Sequence, residues 1–224
     1  MRRTFGAALI GLVAVSAAQA HFPFIVPEPD GSTAKVVFSD DLDPDKNVNI
    51  EKLDGTKLTL RDAAGKESPL AWKKGDACYV VSVPGGGPRV VYGVTDYGVL
   101  QKGDAKPFRL VYYPKAVIGG AAKAVGGSVK LEIVAAGEAG KTRFQVLADG
   151  KPAADLEVTV MVPDASKKPE KKPVKTDKDG FTPAFAETGR FGVTAKFVEA
   201  KPGEHAGKKY DEVRYYATLV ADVK

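Results

Sequence analysis

The sequence predicts an all-β protein in which two β-sandwich domains of the immunoglobulin-like type follow a cleaved signal peptide. Short segments rich in Val, Tyr and Phe recur along the chain, and Asp-Gly, Ala-Gly and Pro-Gly turns separate them, which is typical of β-strands. Few stretches carry the apolar stripe of a helix, and residues 116–127 are too rich in glycine to form one. Regularly spaced short strands favour a sandwich.

The first twenty residues have the three parts of a secretory signal peptide. Arg2 and Arg3 supply the positive start, residues 5–18 form an uncharged and mostly apolar run, and the Ala-Gln-Ala tripeptide at 18–20 is a cleavage site. The apolar run of about 14 residues is shorter than the roughly 20 that cross a bilayer as a helix. We therefore expect cleavage after Ala20 and a periplasmic or secreted mature protein without a membrane span.

Residues 21–135 form the first predicted domain, an N-terminal β-sandwich. Val, Tyr and Phe dominate its strand-like runs, which are followed by turn residues. The runs lie at 34–40, 57–63, 78–84, 89–100 and 108–115.

Residues 136–224 form the second predicted domain. Its strands alternate with turns at Asp149-Gly150, Asp179-Gly180 and Gly189. This pattern resembles the carboxypeptidase-regulatory-like (transthyretin-like) module, which implies a seven-strand immunoglobulin-type sandwich and, by itself, no chemistry. The positions that carry the resemblance are Gly150, Pro152, Val158, Thr176, Asp177, Gly180, Gly189, Phe191 and Val193.

Charge and cysteine content exclude several classes of protein. The formal net charge of +5 falls by two when Arg2 and Arg3 leave with the signal peptide, and the other basic residues are scattered, so we expect no nucleic-acid partner. The basic stretch 167–172 is interpreted as a solvated loop. The single cysteine, Cys78, allows no internal disulfide and no cysteine-based zinc site, and its strand-like surroundings predict a buried thiol.

Cleavage after Ala20 would make His21 the first residue, and an N-terminal histidine has unusual chemistry. Its α-amine loses a proton readily near neutral pH, and the amine and the imidazole Nδ1 can close a chelate ring on one metal ion. Nitrogen ligands of this kind suit nickel, cobalt, copper and zinc. The alternative is that histidine follows the cleavage site by chance.

The second histidine, His205, lies in a polar loop between two predicted strands of the C-terminal domain. If this loop folded onto the N-terminus, His205 and the two nitrogens of His21 would form a histidine brace, the copper site of some oxygenases and copper carriers, with Tyr215 or Tyr216 near the metal. Otherwise His205 is an ordinary surface residue. Asp40 and Asp96 are further candidate metal ligands, which would make a mixed nitrogen and oxygen site with His21.

Two aspartate-rich segments could bind a hard cation. Residues 39–47 hold four aspartates, and the alternative to a cation site is a solvated loop that leaves a strand. Residues 176–180 lack the ligand pattern of a calcium loop, so we interpret them as a turn in which Asp177 and Asp179 bond their own backbone. We expect no enzyme of the hydrolase type, because G-x-S-x-G is absent and two histidines leave little scope for a triad.

The whole chain from His21 resembles a family of bacterial periplasmic proteins of poorly defined function, some of which are accessory components of nickel or cobalt uptake transporters. The resemblance rests on His21, Phe22, Phe24 and Ile25 and on the segments 38–44 and 208–219. It implies divalent-metal binding in the periplasm through His21, with a membrane metal transporter as partner.

Three functions remain open from the sequence. The first is a non-catalytic periplasmic protein that binds nickel, cobalt or copper through His21. The second is a copper oxygenase with a brace of His21 and His205. The third is a metal-free module of the cell envelope that binds a protein or glycan.

Overall fold

The computed structural model describes residues 21–120, 124–138, 140–164 and 168–224. Within them the protein is all-β, which confirms the predicted fold class, and the only helical elements described are two short 3₁₀ turns at Ile50–Leu53 and Gly126–Ser128. The predicted signal peptide lies outside the described residues. No helix in the described part of the chain is long and apolar enough to cross a membrane.

Seventeen strands are described, and they alternate with turns along the chain. The first eight are β1 (Phe22–Pro27), β2 (Thr33–Ser39), β3 (Lys57–Arg61), β4 (Glu67–Leu70), β5 (Trp72–Lys74), β6 (Tyr79–Ser82), β7 (Arg89–Leu100) and β8 (Phe108–Ile118). The others are β9 (Leu131–Ala136), β10 (Arg143–Ala148), β11 (Lys151–Pro152), β12 (Glu157–Val162), β13 (Glu170–Lys175), β14 (Gly189–Glu199), β15 (Gly203–His205), β16 (Lys208–Tyr210) and β17 (Glu212–Val223).

An eight-stranded sheet runs through both halves of the chain, in the order β13-β12-β14-β17-β8-β7-β3-β4. The two halves meet where β17 pairs with β8 in parallel, with Glu212 opposite Phe108 and Ala221 opposite Val117. A four-stranded sheet (β1-β2-β6-β5), a three-stranded sheet (β11-β10-β9) and the hairpin β15-β16 complete the described topology.

The two smaller sheets cover opposite faces of the eight-stranded sheet. Ala116 and Val220 pack into the core under the four-stranded sheet, whereas their neighbours Val117 and Leu219 belong to the core under the three-stranded sheet. Successive residues of a strand point to opposite faces. The protein is therefore built of three β layers, with the long sheet in the middle.

The two cores correspond broadly to the two predicted domains. The first core is built mainly from residues before 120 and the second mainly from residues after 130. The middle layer belongs to both, because the C-terminal strand β17 continues the sheet of the N-terminal half. The boundary at 135/136 stays a prediction.

Strand β1 is fixed to the middle layer beside its first residue. The hydroxyl of Thr218 on β17 is buried and donates a 2.6 Å hydrogen bond to the carbonyl oxygen of Pro23. Phe24 and Ile25 are fully buried. These contacts hold the start of β1, and with it His21, against the face of the eight-stranded sheet that the four-stranded sheet covers.

A buried ion pair joins the middle layer to the three-stranded sheet. Lys115 donates a 2.7 Å hydrogen bond to Glu132, and both side chains are buried. Burial lowers the pKa of Lys115, while the carboxylate of Glu132 acts in the opposite direction. The same carboxylate accepts hydrogen bonds from the backbone N–H groups of Val125 and Gly126, which ties the adjoining segment to the pair.

The surroundings of Cys78 and the turn at 176–180 agree with the sequence, whereas the basic stretch 167–172 differs from the prediction. Cys78 is buried, as expected, and burial raises the pKa of its thiol. Asp177 accepts hydrogen bonds from the backbone N–H groups of Asp179 and Phe181, as predicted for the turn at 176–180. The carboxylate of Asp179 instead contacts the ammonium group of Lys178 at 3.0 Å. The basic stretch expected to be a solvated loop is instead a strand from Glu170 onward, because it pairs with β12 along the edge of the middle layer.

Candidate functional site

His21 directly precedes β1 and is half-buried, and its ring is held from two sides. Its Nε2 atom is 3.1 Å from Oδ2 of Asp45. The ring centroid lies 6.1 Å from that of Phe38 on the neighbouring strand β2. The imidazole therefore has a fixed carboxylate partner and an apolar neighbour.

The loop after β2 presents Asp45 to His21. The Oδ1 atom of Asp45 accepts a 2.9 Å hydrogen bond from the backbone N–H of Asn47, and the backbone N–H of Val48 donates to the Asp45 carbonyl over 3.2 Å. This is the local turn chemistry expected of aspartate. The N–H of Asn47 and, after it, the hydrogen bond from His21 lower the pKa of Asp45.

The contact with Asp45 determines which ring nitrogen of His21 stays available. An ionised carboxylate only accepts hydrogen bonds, so a neutral imidazole beside it carries its proton on Nε2 and keeps a lone pair on Nδ1. Histidines that bind metals commonly donate the N–H of their second nitrogen to a carboxylate in this way. The nitrogen left free is the one that can chelate together with an α-amine of the same residue.

The residue of this loop that was predicted as a ligand, Asp40, pairs with a lysine and not with His21. Its carboxylate is 2.9 Å from the ammonium group of Lys171 on β13, and the neighbouring Asp41 pairs with Lys168 over 3.4 Å. The acidic loop 39–47 is thus bound to the basic edge of the C-terminal half. These lysines take the place that a hard cation would have had beside the two carboxylates.

Asp96 and His205 are brought together, at a distance from His21. His205 ends β15 and its Nε2 atom is 3.6 Å from Oδ2 of Asp96, which is beyond hydrogen-bond length. Asp96 accepts hydrogen bonds from Arg109. Burial acts to raise the pKa of Asp96, but the hydrogen bond and the charge of Arg109 bring it below its ordinary value.

The middle sheet separates the two histidines. Asp96 pairs with Val111 across β7 and β8, and Val111 packs against Tyr210 of the hairpin that carries His205. Leu110 and Tyr112 alternate with Val111 along β8 and line the cleft beside His21. Because adjacent residues of a strand face opposite sides, His205 lies on the face away from His21, and the structure does not form a brace from them.

A cluster of aromatic rings adjoins His21. Its members come from β1, β2, β7, β8 and β17, and their ring centroids are 5.2 to 6.4 Å apart in six pairs, three of them edge-to-face. Such spacing is typical of favourable aromatic packing. We call these residues the aromatic cluster: Phe22, Phe38, Tyr97, Tyr112 and Tyr216.

The aromatic cluster forms one wall of an open cleft of about 420 Å³, which we call the His21 cleft. The rest of its lining is apolar or polar, with a basic rim of Lys52, Lys102 and Arg214. No aspartate or glutamate is among the described residues that line it. The remaining lining residues are His21, Asn47, Val48, Asn49, Leu100, Phe108 and Leu110.

Sequence reasoning missed this aromatic surface and the choice of Asp45. The rings belong to five different strands between β1 and β17, so no local motif contains them all. Asp45 was visible only as one of four aspartates in the acidic loop. Among the described side chains, no group of three or more His, Cys, Asp or Glu is placed to hold a metal ion.

The fold and site define a layered β protein with a carboxylate-paired histidine beside a basic, aromatic cleft. The chain belongs to the family DUF4198, described as a domain of unknown function, which matches residues 18–199. No curated protein matches the sequence.

Among solved structures, the chain is similar to a tetra-tandem repeat in the extending region of a large adhesion protein, with 13% identity and a TM-score of 0.24 over 91% of this chain. The chain covers 50% of the length of that structure. The D0–D1 domain of intimin has 14% identity and a TM-score of 0.19, over 91% of this chain and 97% of its own. Both TM-scores are too low to assign a shared fold.

Proposed function

We propose that the protein is a non-catalytic, periplasmic binder of a divalent transition metal, nickel, cobalt or copper, and that it serves as a capture or accessory component for metal uptake. The metal is its cargo. The α-amine and Nδ1 of His21 are the ligands, once the first twenty residues have been removed. The resemblance to accessory proteins of nickel and cobalt transporters is part of this proposal, as is a membrane transporter as partner.

The contact between His21 and Asp45 carries the proposal. It directs Nε2 to the carboxylate over 3.1 Å, fixes the ring, and leaves Nδ1 for a chelate with the amine. A second-shell carboxylate also strengthens the imidazole as a donor. Two nitrogens from one residue make an open site, which suits a protein that receives a metal and passes it on.

The first test concerns the terminus, since the chelate exists only if His21 is the first residue. We expect the precursor, expressed with its own leader, to yield exported protein whose intact mass corresponds to residues 21–224. A retained leader, or cleavage at another bond, would remove the amine from the site and overturn the proposal.

The second test is calorimetric titration of nickel, copper and cobalt into this mature protein. The matched control carries one additional alanine before His21, which moves the amine away from the chelate and leaves every side chain in place. We expect tight binding that is lost in the control, with protons released on binding because the ligands must be deprotonated. Equal affinity of both proteins, or binding by neither, would exclude an amine chelate at His21.

A further inference from the structure

The His21 cleft has the size and lining of a small-molecule site. Its volume of about 420 Å³ lies within the range of ligand pockets, which combine apolar and aromatic walls with a few polar groups. Tyr97, Tyr216 and Phe22 are partly exposed there, while Tyr112 is buried behind them. A flat apolar body could stack on these rings.

The charge of the rim indicates the sign of the ligand. Lys52 and Lys102 line the cleft, and neither has a carboxylate partner among the described residues. Arg214 is held in place by Glu212 at 2.6 Å and lies over the ring of Phe108 at 3.6 Å. Two ammonium groups without a carboxylate partner, together with the guanidinium that Glu212 pairs, thus adjoin a cleft without an acidic lining residue. This charge is complementary to an anion.

From this geometry we infer that the His21 cleft binds a small organic anion with a flat or aromatic body and one or more carboxylates. The partly exposed rings of Phe22, Tyr97 and Tyr216 contact its body. Lys52 and Lys102 pair with its carboxylates, and Arg214 lies beside them. A small molecule fits this cleft better than a polymer does, because the aromatic wall and the basic rim enclose only about 420 Å³.

An anion in the His21 cleft would also supply further ligands to the proposed metal site. His21 supplies two nitrogens, the carboxylate of Asp45 lies at the far ring nitrogen, and the described residues contain no group of three or more His, Cys, Asp or Glu that could hold a metal ion. An anion in the adjoining cleft, itself a metal chelator, would complete the coordination of a metal that His21 holds. This second half rests on the proposed function, whereas binding of the anion does not.

Two flat dicarboxylates separate the halves experimentally. Benzene-1,3-dicarboxylate has the shape and charge of pyridine-2,6-dicarboxylate but lacks the ring nitrogen that makes the latter a tridentate chelator. We expect metal-free protein to bind the benzene compound in calorimetry or NMR titration. We expect the nickel complex of the pyridine compound to bind at least about tenfold more tightly, because His21 then adds metal–nitrogen bonds.

Matched variants assign the binding to the cleft. The double variant K52Q/K102Q removes two rim charges, and we expect affinity for benzene-1,3-dicarboxylate to fall about fivefold or more. K151Q removes an exposed charge on β11, in the layer on the other side of the sheet, and should leave it unchanged. Tyr97→Ala should weaken binding about threefold to tenfold, whereas Tyr97→Phe keeps the ring and the affinity.

The outcomes distinguish the two proposals. No binding of benzene-1,3-dicarboxylate at millimolar concentration, or equal losses in K52Q/K102Q and K151Q, would overturn the anion site. Binding of that compound without any gain for the nickel complex would retain the anion site and overturn its link to the metal. Nickel binding without anion binding would retain the proposed function alone.

Discussion

His21 and Asp45 are 24 positions apart, yet the imidazole Nε2 atom lies 3.1 Å from the carboxylate Oδ2 atom. The contact joins the first strand to the loop that follows the second. Asp45 is half-buried and its other oxygen accepts the N–H of Asn47, so the carboxylate is oriented before any ligand arrives. The relationship makes Asp45 a positioning residue for His21.

Asp45→Asn should therefore weaken metal binding without unfolding the protein. Asparagine keeps an oxygen acceptor for the N–H of Asn47 but removes the charge that orients and polarises His21, and loss of such a partner typically costs about 10-fold to 100-fold in metal affinity. Calorimetric titration measures the effect. Asp43→Asn, an exposed position in the same loop, is the control. Similar losses in both variants would show a general charge effect.

Thr218→Val should loosen the attachment of β1 to the middle layer. The substitution removes a buried 2.6 Å hydrogen bond and leaves the carbonyl oxygen of Pro23 without its donor, so the free energy of unfolding should fall by about 1–3 kcal/mol. Urea denaturation measures the change. The control is Thr194→Val, which removes the same hydroxyl group from the cross-strand partner of Thr218 on β14. If it destabilises as much, the bond to Pro23 has no special role.

Glu132→Gln should be the most destabilising single change in the buried pair. It leaves the ammonium group of Lys115 buried without its counter-charge, which typically costs about 3–5 kcal/mol of unfolding free energy. Adding Lys115→Met removes the uncompensated charge, so the double variant should recover part of the loss. Thermal or urea denaturation of the two single variants and the double variant completes the cycle. Additive losses would contradict a direct coupling.

Tyr79 should make the protein lose stability in alkali. Burial, followed by its hydrogen bond to Asp54, raises the pKa of Tyr79 from 10.0 to about 12. Because the pKa is higher in the folded state than in the unfolded state, the protonated phenol contributes its full stabilisation below pH 10. This contribution to the free energy of unfolding is lost as the pH rises from 10 to about 12.

The Tyr79→Phe variant has no phenol to ionise. Its free energy of unfolding should therefore fall less than that of the wild type between about pH 9.5 and about pH 11.5, which lie on either side of the unfolded-state pKa of 10.0. Urea midpoints at the two pH values measure the difference. Parallel losses in both proteins would show that Tyr79 ionises as freely in the folded chain as in the unfolded one.

The strand pattern of the first half was largely predictable, since β7 spans the predicted residues 89–100 and β2 and β3 begin within a residue of prediction. Strand β1 was not predicted. Pro23 and Pro27 interrupt its pattern, and prolines are tolerated in it because it is an edge strand of the four-stranded sheet. The packing context of that edge is not present in the local sequence.

The site was less predictable than the fold. Period-two alternation could place Leu110 and Val111 on opposite faces of β8, but only the parallel pairing with β17 and the position of β1 show which face each histidine occupies. Asp40 and Asp45 are equivalent by composition. Lys171, which comes from the other half of the chain, is what directs Asp40 away from His21.

The pairing of β17 with β8 also means that the eight-stranded sheet forms fully only after β17 has been synthesised. Phe108 meets Glu212 only when β17 has been made, so a chain that lacks β17 keeps one edge of β8 without a partner. Such an edge, with Val111 and Tyr112 along it, can pair with other chains before the native partner arrives. The twelve-residue strand β17 therefore joins the two parts of the eight-stranded sheet. Truncation of β17 would leave the edges of both β8 and β14 unpaired.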